Sequence, residues 1–173
     1  MKSSLSRDDI QKLFKWLNEE LCKEEVRGEL YLVGGAVMCL VFQARASTKD
    51  VDAFFKPAGK IRGAAARVAL RAHLPQDWLN DGVKGFLSEK GDYEPFLDWS
   101  HLKIMVARPE YLLAMKCLAM RIGKEFHDEE DIRYLLRNLN IHTYKKACEV
   151  IGQYYPLKQF PQKTLYALEE ILR

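Results

Sequence analysis

The first apolar positions of the chain recur at helical spacing. From Ile10 onward an apolar residue returns every three or four positions, as on the buried side of an amphipathic helix: Ile10, Leu13, Phe14, Leu17 and Leu21. Serine is a good helix cap because its hydroxyl accepts a hydrogen bond from the first free backbone N–H groups. The pattern therefore predicts a helix that is capped by Ser4 or Ser6 and ends near Glu25.

Between residues 30 and 55 the pattern predicts two strands joined by a glycine turn and a short helix. Leu30 to Val33 is an apolar run that stops at the pair Gly34-Gly35, as a buried strand does at a tight turn. Ala36 to Gln43 is apolar on nearly all sides, which is typical of a short buried helix. Val51 to Phe55 is again apolar and rich in β-favouring residues, so a second strand is expected there.

The remaining pattern predicts one more helix and a pair of strands, and then helices alone. Ile61 to Leu74 contains strong helix formers and ends at a proline. Strands are expected over Pro95 to Trp99 and Leu102 to Ala107. Further helices are expected over residues 111–121, 127–136, 143–152 and 163–173. The predicted fold class is α/β: residues 1–107 form a small mixed sheet flanked by helices, and residues 108–173 form a C-terminal helical part packed on it.

Composition limits the class of protein only loosely. The 173 residues are 48% hydrophobic, which is enough for one sizeable core with a small appendage. A net charge of +3 permits a nucleotide or nucleic-acid partner without requiring one. No apolar run is long enough to cross a membrane, and the polar start of the chain resembles no secretory leader, so a cytoplasmic location is expected. The four cysteines have no metal-binding spacing and are expected to be free thiols.

Two aspartates on the second predicted strand carry the first candidate chemistry. Because side chains alternate along a strand, Asp50 and Asp52 lie on one face and Val51 on the other. Adjacent carboxylates repel each other unless a cation lies between them. Magnesium commonly takes one or two carboxylates together with the phosphate oxygens of a substrate. The absence of side chains at Gly34 and Gly35 would let the backbone approach those phosphates closely.

The order of these residues resembles the signature of the nucleotidyltransferase superfamily, which has the polymerase-β-like fold. The similarity lies in Gly34-Gly35-Ala36 followed by Arg45-x-Ser47-Thr48-x-Asp50-x-Asp52. It implies attack of an acceptor hydroxyl on the α-phosphate of a nucleoside triphosphate, with Asp50 and Asp52 holding Mg²⁺ or Mn²⁺. It also implies a third carboxylate from a later strand, for which Asp98 is the candidate unless it lies in a simple hairpin turn. Nucleotide binding is assigned by the same resemblance to Gly34, Gly35, Arg45, Ser47 and Thr48.

Lys116 is an anomaly in an otherwise apolar helix. A lysine there must either extend to solvent or meet an anion, and without an anion a methionine would be at least as stable. If Lys116 faces the metal site, Lys116→Met is expected to keep or raise the melting temperature while weakening nucleotide binding. If Lys116 extends to solvent, the same change is expected to leave nucleotide binding unchanged. The acidic start of the next helix, with Asp128 and Asp131, can be explained by favourable charge at a helix N-terminus alone.

A second resemblance covers these later residues. Asp77-Trp78-Leu79-Asn80-Asp81, Lys116 and the pair Asp128-x-x-Asp131 are similar to segments of the AbiE-type toxins of toxin–antitoxin systems. This resemblance implies that Lys116 neutralises a triphosphate oxygen and that Asp131 orients it or activates the acceptor. The acceptor would be RNA, such as tRNA, or protein, and an antitoxin would be a partner. It assigns no catalytic step to the segment 77–81.

Three alternatives stay open at this point. The aspartates and glycines can be an ordinary solvated strand and turn. Without a third carboxylate, the fold can also be a catalytically silent nucleotidyltransferase-like module that binds partners. A third alternative is a small-molecule nucleotidyltransferase of the aminoglycoside type, which an acidic pocket near Asp50 would favour. A basic rim that includes Arg62 and Arg67 would instead favour tRNA, although such spacing is also typical of a solvated helix face.

Overall fold

The computed structural model describes residues 4–121, 123 and 126–173. The part of the chain that it describes has seven strands and seven α-helices, besides short 3₁₀ turns. In chain order they are β1 (Leu5–Ser6), α1 (Arg7–Lys23), β2 (Gly28–Val33), α2 (Gly34–Leu40), β3 (Ser47–Thr48), β4 (Val51–Lys56), α3 (Ala58–Ala72), β5 (Leu79–Asn80), β6 (Tyr93–Asp98), β7 (Leu102–Ala107), α4 (Pro109–Leu118), α5 (Asp128–Asn138), α6 (Tyr144–Ile151) and α7 (Gln162–Ile171). The predicted α/β class is confirmed.

The principal sheet is mixed and has five strands in the order β5-β4-β2-β7-β6. Strand β2 pairs antiparallel with β4 and parallel with β7, while β4–β5 is parallel and β6–β7 antiparallel. The two-residue alternation divides the sheet into a buried and a half-exposed face. The buried face consists of Leu30, Leu32, Val51, Ala53, Phe55, Leu102, Ile104 and Val106, none more than 2% exposed.

Helices α1 and α3 cover the buried face of the sheet. Gly28 marks their closest approach, because a β-carbon built there would lie 2.9 Å from Ile61 and 3.0 Å from Leu21. Ser6 caps α1 as predicted: its hydroxyl accepts from the Asp9 N–H, and the Asp9 carboxylate accepts from the Ser6 N–H. The start of α1 is therefore fixed by its own sequence.

The arginines of α3 form ion pairs with acidic side chains of the protein. Arg67 pairs with Glu20 at 3.0 Å, Arg71 pairs with Glu19 at 2.8 Å, and Arg62 pairs with an aspartate that follows β5 at 2.8 Å. These pairs favour the solvated-face interpretation over a basic rim that receives tRNA.

The chain divides into two compact units. The first runs to Gly85 and resumes over Tyr93–Ala107, and the second comprises Phe86–Asp92 and Arg108–Arg173. Residues 86–92 thus group with the C-terminal helices, although they precede the predicted boundary at residue 107. In the second unit, α4 is almost wholly buried, and the Tyr111 ring stacks on Tyr154 with centroids 5.1 Å apart. Among the described helices, none has the length and apolar character needed to cross a membrane.

Candidate functional site

The turn between β2 and α2 places a glycine directly against one of the paired aspartates. Val33 pairs with Asp52 across the β2–β4 ladder, and Gly34 follows with a φ of 69°. A β-carbon built on Gly34 would lie 3.0 Å from Oδ2 of Asp52. Only glycine adopts this φ readily, and a larger residue would cover the carboxylate. The glycine turn and the Asp-x-Asp strand therefore form one site.

Asp52 lies on β4, as the sequence predicts, whereas Asp50 lies in the bend that precedes the strand. Asp50 and Asp52 are half-buried, whereas Val51 between them and Ala53 after them are fully buried. The hydroxyl of Thr48 donates to the backbone oxygen of Asp50 at 3.2 Å, which fixes the approach to β4. The Asp52 carboxylate thus lies on the half-exposed face of the sheet, two residues after Asp50.

Gly35 brings two more of the predicted nucleotide-binding residues together. A β-carbon built on Gly35 would lie 2.6 Å from Nη1 of Arg45 and 2.8 Å from Oγ1 of Thr48. Arg45 is half-buried, and Thr48 is 8% exposed. Ser47, adjacent to Thr48, is held in the short β1–β3 ladder opposite Ser6. A guanidinium, a hydroxyl and a bare backbone therefore meet beside the aspartate pair.

Asn80, to which the sequence assigns no role, lies beside Asp52 in the structure. The parallel β4–β5 register pairs the two residues directly. Oδ1 of Asn80 accepts from the Gly82 N–H at 3.3 Å, so the side chain is ordered by its own turn. Trp78 anchors this segment, because its ring is buried and its N–H donates to the Ala65 carbonyl at 2.9 Å. The resemblance of residues 77–81 to a toxin segment was the only signal in the sequence that pointed here.

The structure does not bring Asp98 to this site. Asp98 ends β6 in register with Lys103, and Lys103 pairs with Glu29 on β2. Glu29 lies four residues before Val33, which at about 3.3 Å per residue places it roughly 13 Å along the strand from the row of Asp52. The Asp98 carboxylate is 66% exposed and pairs with Arg27. The candidate third carboxylate is thus at the other end of the sheet.

The second unit contains a buried cluster built around Lys116. Nζ of Lys116 lies 2.7 Å from Oδ2 of Asp131 and 3.6 Å from Oδ1 of Asp128. Lys116 is 9% exposed and the two aspartates are 4% or less. The sequence left two possibilities for Lys116, extension to solvent or contact with an anion. The structure shows contact with two carboxylates. Helix-terminal charge alone does not explain Asp128 and Asp131, because both carboxylates also compensate the buried ammonium.

Arg121 completes the charge balance of this cluster. Its backbone N–H and its Nε both donate to Oδ2 of Asp128, at 2.9 and 3.0 Å. Burial raises the pKa of Asp128, but the hydrogen bonds from Arg121 and the charge of Lys116 outweigh that and hold the pKa below its ordinary value. Two cations and two carboxylates thus form a neutral group. The assigned roles of Lys116 and Asp131 toward a triphosphate stay predictions.

The donor set at Asp50 and Asp52 fits a magnesium or manganese ion that arrives with a phosphate ligand. Both side chains offer hard oxygen donors, and the absence of a side chain at Gly34 leaves space beside Asp52. In the described part of the chain, no three His, Cys, Asp or Glu residues are grouped so as to hold a metal by themselves. The remaining ligands would therefore have to come from substrate and water, as is usual for magnesium.

Comparisons of this chain with protein-family models, with curated proteins and with solved structures find no match. The function of the protein is therefore inferred from the geometry of the site and from the order of its residues along the chain.

Proposed function

We propose that this chain is a magnesium-dependent nucleotidyltransferase. One observation carries the proposal: Gly34 lies against Asp52 while Gly35 lies against Arg45 and Thr48. The Asp52 carboxylate is thereby adjacent to a cation, a hydroxyl and a bare backbone suited to phosphate, and Asp50 precedes it by two residues. The order of these residues along the chain also resembles the superfamily signature.

The proposed reaction moves a nucleoside monophosphate to an acceptor hydroxyl. The bond from the acceptor oxygen to the α-phosphorus forms as the bond to pyrophosphate breaks, and the hydroxyl proton passes to solvent. Asp50 and Asp52 would hold magnesium, which when bound neutralises the charge that develops on the transferred phosphate. Arg45 and Thr48, with the backbone of Gly34 and Gly35, would bind the β- and γ-phosphates. The acceptor class is RNA or protein, and a toxin role with an antitoxin partner remains part of the proposal.

A silent nucleotidyltransferase-like module is the second candidate. The position of Asp98 favours it, because the sheet register leaves Asp50 and Asp52 without the later carboxylate that the resemblance implies. Such a module would bind the metal–nucleotide complex and transfer nothing. Binding experiments alone do not separate the two candidates, whereas a transfer assay does.

Nucleotide is expected to stabilise the protein only when magnesium or manganese and both aspartates are present. A ligand that binds the folded state at 100 times its Kd adds about 2.7 kcal/mol to the free energy of unfolding. The Asp50→Asn, Asp52→Asn double variant should lose this gain, because neither amide replaces a charged metal ligand. Thermal melts at low metal concentration measure it. An equal shift in the double variant and the wild type would show that the aspartates hold no metal.

Gly35→Ala is expected to weaken nucleotide binding without unfolding the protein. The new β-carbon would lie within 3.0 Å of both the Arg45 guanidinium and the Thr48 hydroxyl, so these two phosphate-binding side chains have to move. Gly59→Ala is the matched control, because a β-carbon there has nothing within 4 Å. Titration with nucleotide and magnesium, checked by circular dichroism, measures both effects. Loss of helical signal in Gly35→Ala would show that this glycine serves packing instead.

A further inference from the structure

The half-exposed face of the sheet has a row of aromatic rings next to Asp52. Phe54 lies two residues after Asp52 on β4, on the same face, and pairs with Tyr31 on β2. The ring centroids of Phe54 and Tyr31 are 5.8 Å apart, and Tyr93 reaches Tyr31 from β6 at 5.1 Å. All three rings are half-buried. We call Tyr31, Phe54 and Tyr93 the aromatic platform.

The platform begins close enough to Asp52 to share one ligand with it. Two residues along a strand span about 6.6 Å. The glycine turn lies at the end of β2, whereas the platform extends from Asp52 in the opposite direction, toward the middle of the sheet. In the proposed reaction the triphosphate lies on the glycine side of Asp52. The acceptor must then approach Asp52 from another direction, and the platform is the part of this face next to it.

An exposed cation lies beside the aromatic platform. Lys56 is more than half exposed, and its Nζ lies 5.5 Å from the centre of the Tyr31 ring and 3.3 Å from Glu29. The hydroxyl of Tyr31 also donates to Glu29, at 3.0 Å, which fixes the ring. Ordered rings next to an exposed cation can stack an unpaired base and contact its backbone phosphate.

We propose that the aromatic platform binds an unpaired base at the end of an RNA acceptor. The inference rests on the proposed function, because that function places the triphosphate on the glycine side of Asp52. Stacking on an aromatic side chain tolerates any base, so the platform would select single strands over duplexes more than it selects sequence.

Binding of a fluorescently labelled single-stranded RNA hexamer tests the proposal. Phe54→Leu keeps an apolar side chain but removes the ring. It is expected to weaken the affinity for the hexamer about 10-fold. Phe54→Trp should restore the affinity, and Tyr166→Leu, which removes an exposed ring in the second unit, should not change it. Tyr93→Leu replaces Phe54→Leu if the latter fails to fold. Equal affinity of the wild type and the leucine variants would overturn the proposal.

The same variants separate this proposal from the proposed function. Phe54→Leu should keep the thermal stabilisation by magnesium and nucleotide. If it loses that stabilisation and still binds the hexamer normally, the platform serves the base of the triphosphate and the proposal is wrong. If the wild type gains no stabilisation from magnesium and nucleotide, but the hexamer result holds, the proposed function fails while the RNA-binding platform stands.

Discussion

Lys116→Met is expected to lower the free energy of unfolding by about 3–5 kcal/mol. The change removes the ammonium 2.7 Å from Asp131 and 3.6 Å from Asp128, and leaves buried carboxylates with less compensating charge. This reverses the expectation from the sequence, which considered the cost of burying the ammonium but not the cost of the carboxylates left behind. The structure shows that cost, because Asp128 and Asp131 of α5 are both buried beside Lys116.

Urea unfolding followed by circular dichroism measures this effect. Lys163→Met, at an exposed lysine of α7, is the matched control and should change stability by less than about 0.5 kcal/mol. Adding Asp131→Leu to Lys116→Met should recover part of the loss, because the uncompensated carboxylate is then gone. A Lys116→Met protein as stable as the wild type would mean that Lys116 contributes nothing net to folding.

Asp52→Asn is expected to lower nucleotidyl transfer by at least about 100-fold. A bound metal ion contributes several kcal/mol of transition-state stabilisation, and each 1.36 kcal/mol is a tenfold change in rate. Because Asp52 lies directly against Gly34, its amide would also change the site next to the phosphates. Transfer of label from a nucleoside triphosphate to RNA or protein measures the rate.

Asp98→Asn is the matched control for Asp52→Asn. Its carboxylate is exposed, pairs with Arg27 and lies in a different row of the sheet from Asp52. The rate of Asp98→Asn should stay within about twofold of the wild type. A loss as large as that of Asp52→Asn would show that Asp98 acts in catalysis after all, against the position that the strand register gives it.

Local patterns in the sequence predicted most of the architecture. The apolar spacing of α1, the capping serine and the alternation around Val51 depend on neighbours within a few residues, so the sequence contains them directly. The β1–β3 ladder and the short β5 were missed, since two-residue strands have too little length for a period to show.

The sequence predicted only part of the candidate site, for a related reason. Gly34, Gly35 and Asp52 lie on two neighbouring elements of one short stretch, and the structure places Gly34 against Asp52. The positions of Asn80 and Asp98 depend instead on which strands pair and in what register, and a single sequence does not specify either. The sequence therefore gave no sign that Asn80 lies beside Asp52. It also predicted Asp98 as a third carboxylate of the site, whereas the strand register places Asp98 in a different row of the sheet.

The most direct test of the central claim compares two labels on the same substrate. Wild-type protein is incubated with magnesium, RNA or protein acceptors, and ribonucleoside triphosphates labelled at either the α- or the γ-phosphate. A nucleotidyltransferase should attach the α-label to an acceptor and should not attach the γ-label. Asp52→Asn should abolish the attachment. Absence of transfer from every triphosphate to either acceptor class would contradict catalysis and leave the silent module. Transfer of γ-label instead would identify a kinase and refute the proposed reaction.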